Sequence, residues 1–207
     1  MRKIVSAFIF VLAFSLVGCV SVPKEPAKFV EFEHSSKFVK NGTIYTKTDM
    51  ASGVQWNKDY VVTAKHVSFA DGVVYKSGGE LDLQFVRKTA DNVIVPKWRD
   101  RKAGENVTII GVSQSGKVKE AKGKDLDIYS EKGNSINYLT TAVTVGGQSG
   151  GPVFSDDGHV IGILVAITDG KDANGNLDPS LKGKGKEFSL YIPYEVIQKE
   201  WNKYQKG

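Results

Sequence analysis

The chain has 207 residues, 41% of them hydrophobic and 25% charged, with a formal net charge of +5 and a single cysteine. One cysteine excludes an internal disulfide framework. The lysines are scattered with no aromatic-interleaved basic stripe, which argues against a nucleic-acid partner, and neither an internal repeat nor a heptad run is present.

Met1-Arg2-Lys3 is a short basic start, and Ile4 to Leu16 is an apolar run too short to span a bilayer comfortably. Together they read as an export signal. The run ends in Leu16-Val17-Gly18-Cys19, which resembles the bacterial lipobox. That resemblance implies a signal peptide over 1–19 and a diacylated Cys19 as mature N-terminus. The expected partner is then a membrane, held through acyl chains at about 0.8 kcal/mol per buried methylene. Val20, rather than aspartate, follows the cysteine, so the expected location is periplasm-facing with the outer membrane as default. Without residues 1–19 the net charge falls to about +3, because Arg2 and Lys3 leave. The remaining 188 residues suffice for one well-buried core or a two-barrel domain. A tether is expected over 20–39, its Pro/Lys/Glu part Ser21–Lys28 extended, and a folded domain over 40–207.

Short strand-like runs then alternate with turn residues: GTIYTK, GVQW, YVVTAK, GVVYK, LDLQFVR, NVIVPKW and NVTIIGV. This spacing predicts an all-β sandwich or barrel. YLTTAVTV, PVF and HVIGILVAI continue it as buried strands. Asp169 to Lys186 is a long polar loop. Its DANGN echoes the start of a calcium loop, but Leu177 stands at the glycine position and Gly183 at the terminal glutamate, so no metal is assigned. Tyr194, Ile197, Trp201 and Tyr204 form an apolar helical stripe after Pro193, suited to docking on the barrel.

Gly146-Gly147-Gln148-Ser149-Gly150-Gly151-Pro152 is clamped between apolar strands, which is unlike a linker. Glycine admits positive φ and close approach, so successive amides can converge on one point as an oxyanion hole requires. Ser149 is therefore the candidate nucleophile, and it needs a base. Of three histidines, His34 lies in polar HSSK and His159 in an Asp-Asp-Gly-His turn; His66 ends the apolar strand YVVTAKHV and is the candidate base. GQSGG also satisfies G-x-S-x-G. An α/β-hydrolase, however, needs a helix after the serine and its histidine well downstream.

VVTAKHV and GGQSGGPVF resemble the histidine and serine motifs of the chymotrypsin-like (trypsin-fold) serine proteases, in that family's order. The likeness extends over roughly 40–205 through GENVTIIG, SDDGHVIGILVAI and FSLYIPYEVIQKEW, and is nearest to short bacterial Deg/HtrA-type members. It implies a double six-stranded β-barrel with a C-terminal helix, no appended PDZ domain, no cofactor, and hydrolysis of a polypeptide substrate. It also implies Asp82, in Asp82-Leu83-Gln84-Phe85-Val86, as third triad member. Only sixteen positions separate His66 from Asp82, about half the family's usual interval, and Asp91, Asp100 and Asp71 are the alternatives. By position the oxyanion donors are the amides of Gly147 and Ser149, and the substrate pocket falls near Val143, Val165, Ala166 and Ile167. None of those is acidic, so small aliphatic residues are expected at P1, the substrate residue before the scissile bond. Neutral Gln148 replaces the acidic residue of trypsin-like zymogens, which implies no activation cleavage. A catalytically inactive relative serving as a binding or scaffold module is the rival reading, and an esterase using the same triad is a third.

Overall fold

The computed structural model describes residues 28–41, 43–90, 94–172 and 174–207. Cys19, the signal segment, most of the Ser21–Lys28 stretch and Asp91 lie outside them. Two long polar strands come first, β1 (Val30–Lys40) and β2 (Thr43–Gln55), paired antiparallel from Val30↔Gly53 to Lys40↔Thr43. Residues 30–39, expected in the tether, are thus sheet. Their charged side chains alternate with Val30 and Phe32, which are buried, and period-2 burial is what a half-solvated strand requires.

Strands β3 (Tyr60–Thr63), β4 (Val73–Lys76) and β5 (Gln84–Arg87) complete an N-terminal sheet of order β1-β2-β3-β5-β4. Among the described residues this half has five strands in open order rather than six closed into a barrel. The described part of NVIVPKW, residues 94–98, supplies no further strand to it. Lys97 and Arg99 instead exchange backbone hydrogen bonds with Val160, in the other half of the molecule. The second half is a closed six-stranded barrel. It comprises β6 (Asn106–Val112), β7 (Val118–Lys132), β8 (Ser135–Thr140), β9 (Pro152–Ser155), β10 (Val160–Thr168) and β11 (Phe188–Pro193), in the order β10-β11-β8-β7-β6-β9. The lysine-rich β7 carries no strong apolar pattern; it pairs on both edges, with β6 and β8, while most of its side chains face water.

The barrel encloses Val107, Ile109, Ala142, Val153, Ile161 and Tyr191. A buried carboxylate is stable only when paired. Inside this barrel Asp125 accepts from Arg101 at 2.8 and 3.1 Å and from the Tyr191 hydroxyl, while Arg101 lies 3.8 Å over the Tyr138 ring. The larger core lies between the halves, where Val61, Val62, Phe85 and Val86 meet Val160, Ile163 and Ile192. Helix α1 (Tyr194–Lys206) closes it. Ile197 and Trp201 are buried as their spacing predicts, and Trp201 packs edge-on to Tyr60 and Phe85 at 4.9 Å. The loop over 169–186 is anchored rather than free: Leu181 is buried against Leu139 and Phe188.

Candidate active site

His66 stands in the turn that leaves β3, and Asp82 in the extended stretch that enters β5. Because Thr63 pairs with Gln84, these two ends lie side by side, and the chain between them needs only the short strand β4. His66 Nδ1 is 2.6 Å from Asp82 Oδ2, and the His66 amide donates to Asp82 Oδ1 at 2.8 Å. A carboxylate that grips both ring and backbone fixes the tautomer with Nδ1 protonated and leaves Nε2 free. The hydrogen bond that His66 donates to Asp82 raises the His66 pKa above its usual 6.5, against the opposing effect of partial burial. Burial alone would raise the Asp82 carboxyl; the bonds and charge of His66 outweigh it and hold Asp82 below 3.8. The pair is open to solvent, with side-chain exposures of 49% and 28%.

Asp82 is itself braced. Ser77 Oγ lies within hydrogen-bond reach of the Leu81 and Leu83 carbonyls, and Lys65 Nζ donates to the Ser77 and Gly79 carbonyls at 3.2 and 2.9 Å. The alternative carboxylates among the described residues, Asp71 and Asp100, are elsewhere. Asp71 is exposed in the turn before β4, and Asp100 is exposed beside Arg99, which pairs with Glu105 and Asp157. His34 stacks on Phe69 at 5.9 Å, and His159 faces Asp157 at 3.1 Å in its hairpin. Neither approaches the serine loop through a hydrogen bond.

The serine loop is pinned against the histidine strand. The Ser149 carbonyl accepts from the Ser52 amide at 2.9 Å, while Gly150 N donates to Leu164 and Leu164 N to Gly151 at 2.7 and 2.9 Å. At Gly150, with φ of 82°, a Cβ would collide with Thr63 Oγ1 and the Ser52 carbonyl, so glycine is required for Ser149 to sit this close to β3. Gly147 adopts φ of 97°, and a Cβ there would lie 2.7 Å from backbone atoms of Val112, Ser113 and Gln114. Among the described residues the amides of Gly147 and Ser149 donate no hydrogen bond within the chain, whereas those of Gln148, Gly150 and Gly151 all do. Two unspent donors on a rigid glycine loop are what a developing oxyanion needs. The Ser149 hydroxyl makes no hydrogen bond to His66 among the described residues; such contacts are often long without substrate.

Several bracing residues have no motif to reveal them. Ser52 is fully buried; its Oγ accepts from Val112 N at 2.9 Å and donates to the Gly147 carbonyl at 3.0 Å, so one hydroxyl ties β2, β6 and the serine loop. In the sequence Gln148 is distinguished only by its lack of charge. Its Oε1 accepts from Val145 N at 2.9 Å and its Nε2 donates to the Lys119 carbonyl at 3.2 Å, which anchors the loop to β7 from within. Only the buried environment, not the residue type, marks these roles.

The expected substrate residues divide. Val143 and Ile167 are exposed at 47% and 45%, and Ala166 is also exposed. Val165 differs: its side chain is buried in the core between the halves, at an irregularity in the β10–β11 pairing, so it takes no side-chain part in a pocket. Thr144 and Ser189, both buried, bond through their hydroxyls at 2.8 Å beside Val143.

The trypsin-like peptidase domain model matches residues 68–163, a span that contains Asp82 and Ser149 and starts just after His66. Comparison with curated protein sequences finds no match. Among solved structures the chain is similar to the HtrA-type protease AlgW with a tripeptide, at 18% identity and a TM-score of 0.61 over 84% of this chain. It is also similar to the MamO protease domain from Magnetospirillum magneticum, at 19% and 0.56 over 84% of this chain and 96% of that one. Rv3671c from M. tuberculosis H37Rv follows at 15% and 0.55, over 76% and 82%. The fold is that of the trypsin-like serine peptidases. The chain spans 58% of the length of the AlgW chain it matches.

Proposed function

We propose that the protein is a serine endopeptidase in which Ser149, His66 and Asp82 act as a triad. The observation that carries this reading is the His66–Asp82 pair at 2.6 Å, set beside a glycine loop whose Gly147 and Ser149 amides are unspent. Ser149 Oγ attacks the scissile carbonyl as His66 Nε2 takes its proton, and the oxyanion forms against those two amides. His66 then protonates the leaving amine, and water activated by the same ring releases the acyl group. Asp82 holds the ring and stabilises the imidazolium. Because Gln148 anchors the loop internally, no newly cut N-terminus is needed to form the oxyanion hole.

A polypeptide is the proposed substrate, supported by the peptide bound to AlgW and by the solvent exposure of the His66–Asp82 pair. Small aliphatic P1 residues fit best. At the expected pocket positions Val143 and Ile167 present exposed apolar side chains, and neither carries a charge to pair with arginine or lysine. We also propose that the enzyme is exported and held to a membrane through Cys19, nine residues before the first described residue.

The test is fluorophosphonate labelling with intact-mass readout, followed by cleavage of peptides that differ only at P1. One adduct is expected on the wild type, lost in Ser149→Ala and strongly slowed in His66→Ala and Asp82→Asn. No adduct on folded wild type would leave a binding module as the better reading. Preferential cleavage after arginine would overturn the P1 assignment alone.

A further inference from the structure

Proton transfer as proposed above requires the His66 ring to stay on Asp82, yet His66 belongs to a turn, and turns are the mobile part of a fold. Within that turn the backbone contributes Val67 N to the Ala64 carbonyl at 3.1 Å and Ser68 N to the His66 carbonyl at 2.8 Å. Besides the His66 amide bond to Asp82 and the Lys65 ammonium bonds, a further side chain adds two more. Gln84, the first residue of β5, is fully buried, and its Nε2 donates to the Ala64 carbonyl at 3.1 Å and to the Val67 carbonyl at 2.8 Å. Those two carbonyls bracket Lys65-His66.

Gln84 lies two residues beyond Asp82. One strand entry therefore delivers a carboxylate to the imidazole and an amide to the backbone that bears it. Gln84 also carries a penalty, since its Oε1 is buried without a hydrogen-bond partner. Methionine would fill the same volume without that penalty but would release both carbonyls. What the amide adds, at the cost of one unpartnered oxygen, is a fixed turn.

We propose that Gln84 is a positioning residue for His66: it clamps the Ala64–Val67 turn so that the ring stays on Asp82 and presents Nε2 to the serine. The proposal rests on the serine-peptidase reading for its purpose but not for its geometry. Across the sixteen-residue His–Asp interval, the clamp and the His66 amide bond to Asp82 act on the same turn.

The test uses the purified full-length chain and a matched control. Gln55 is likewise fully buried, donates through Nε2 to the Lys58 and Lys88 carbonyls at 3.3 and 2.7 Å, and leaves its Oε1 unpartnered, but it holds loops outside the site. Gln84→Met and Gln55→Met are compared with wild type by NMR titration of the three histidine rings and by fluorophosphonate labelling rate. Gln84→Met is expected to slow labelling about tenfold or more and to bring the His66 titration down towards 6.5. Gln55→Met should lower the melting temperature to a similar extent and change neither readout. If both variants slow labelling by the same factor, or if Gln84→Met moves neither titration nor rate, the proposal is overturned. Should Gln84→Met fail to fold, Gln84→Asn, whose amide is one methylene shorter, is read in the same way. A wild type that takes no label would defeat the peptidase reading. The His66 titration then decides the positioning role by itself: a shift in Gln84→Met supports it and no shift overturns it.

Discussion

At His66 and Asp82 the two ionisations pull in opposite directions, and both depend on one hydrogen bond. The proposed base must be neutral, so turnover rises with pH as His66 loses its proton. Asp82 raises the His66 pKa, which places the acid limb of kcat/KM above 6.5; Asp82→Asn should shift that limb down and lower kcat by about 10⁴. A limb that stays put in Asp82→Asn would mean that another group sets it. The same pair is linked to stability. His66, raised in the folded state, contributes fully below 6.5, and that contribution is lost as pH rises through its folded pKa. Asp82, lowered in the folded state, contributes above 3.8 and loses its share as pH falls through its folded pKa. The stability lost in Asp82→Asn, read as a urea midpoint, should therefore be larger near pH 5 than near pH 9. The half-exposed ring keeps the difference modest.

Helix α1 is the element on which the N-terminal sheet depends. An open five-stranded sheet needs a cover for its apolar face, and the chain end returns to provide one. Trp201 lies against Tyr60 and Phe85, and Glu200 accepts from the Tyr75 hydroxyl at 2.6 Å, tying the helix to β4. Burial and the neighbouring Glu200 carboxylate push the Tyr75 pKa up to about 12, so that bond persists through neutral pH. Trp201→Ala should cost about 3–5 kcal/mol in chemical denaturation. Because β3 and β5 carry His66 and Asp82, labelling should fall with it. A loss below about 1 kcal/mol would show that the helix merely rests on the sheet. The i, i+3, i+7 spacing made this helix legible from its own residues, as did the β-branched runs of β3, β6 and β10. Strands β1 and β7 were not legible as strands: each is polar along most of its length and is held by antiparallel pairing, β1 with β2 and β7 with both β6 and β8, rather than by an apolar face of its own.

Across the whole molecule, the proposed site exists only where the two halves meet. The N-terminal sheet supplies His66 and Asp82, the barrel supplies Ser149 with its glycines, and Ser52 bonds to both Gly147 and Val112 across the junction. The described residues begin at Lys28, nine positions after Cys19, the residue of the anchoring proposal. Expressed in a Gram-negative host, the chain should incorporate a palmitate analogue and partition with membranes, and Cys19→Ser should do neither. Label retained in Cys19→Ser would remove the anchoring proposal and leave the peptidase reading intact.

The residue types that do chemistry, and the glycines that let a backbone approach them, were readable from the sequence alone, because their properties are local. A serine among four glycines, a histidine ending an apolar strand and a short Asp-Leu entry into another strand each announce themselves by composition and neighbours. Gln84, Ser52 and the amide of Gln148 did not, and neither did the burial of Val165 or the open N-terminal sheet. A glutamine becomes a clamp only when burial removes water and long-range pairing brings Ala64 and Val67 within 3.1 Å of its amide. Burial and register are properties of the folded chain as a whole, and only the tertiary structure decides them.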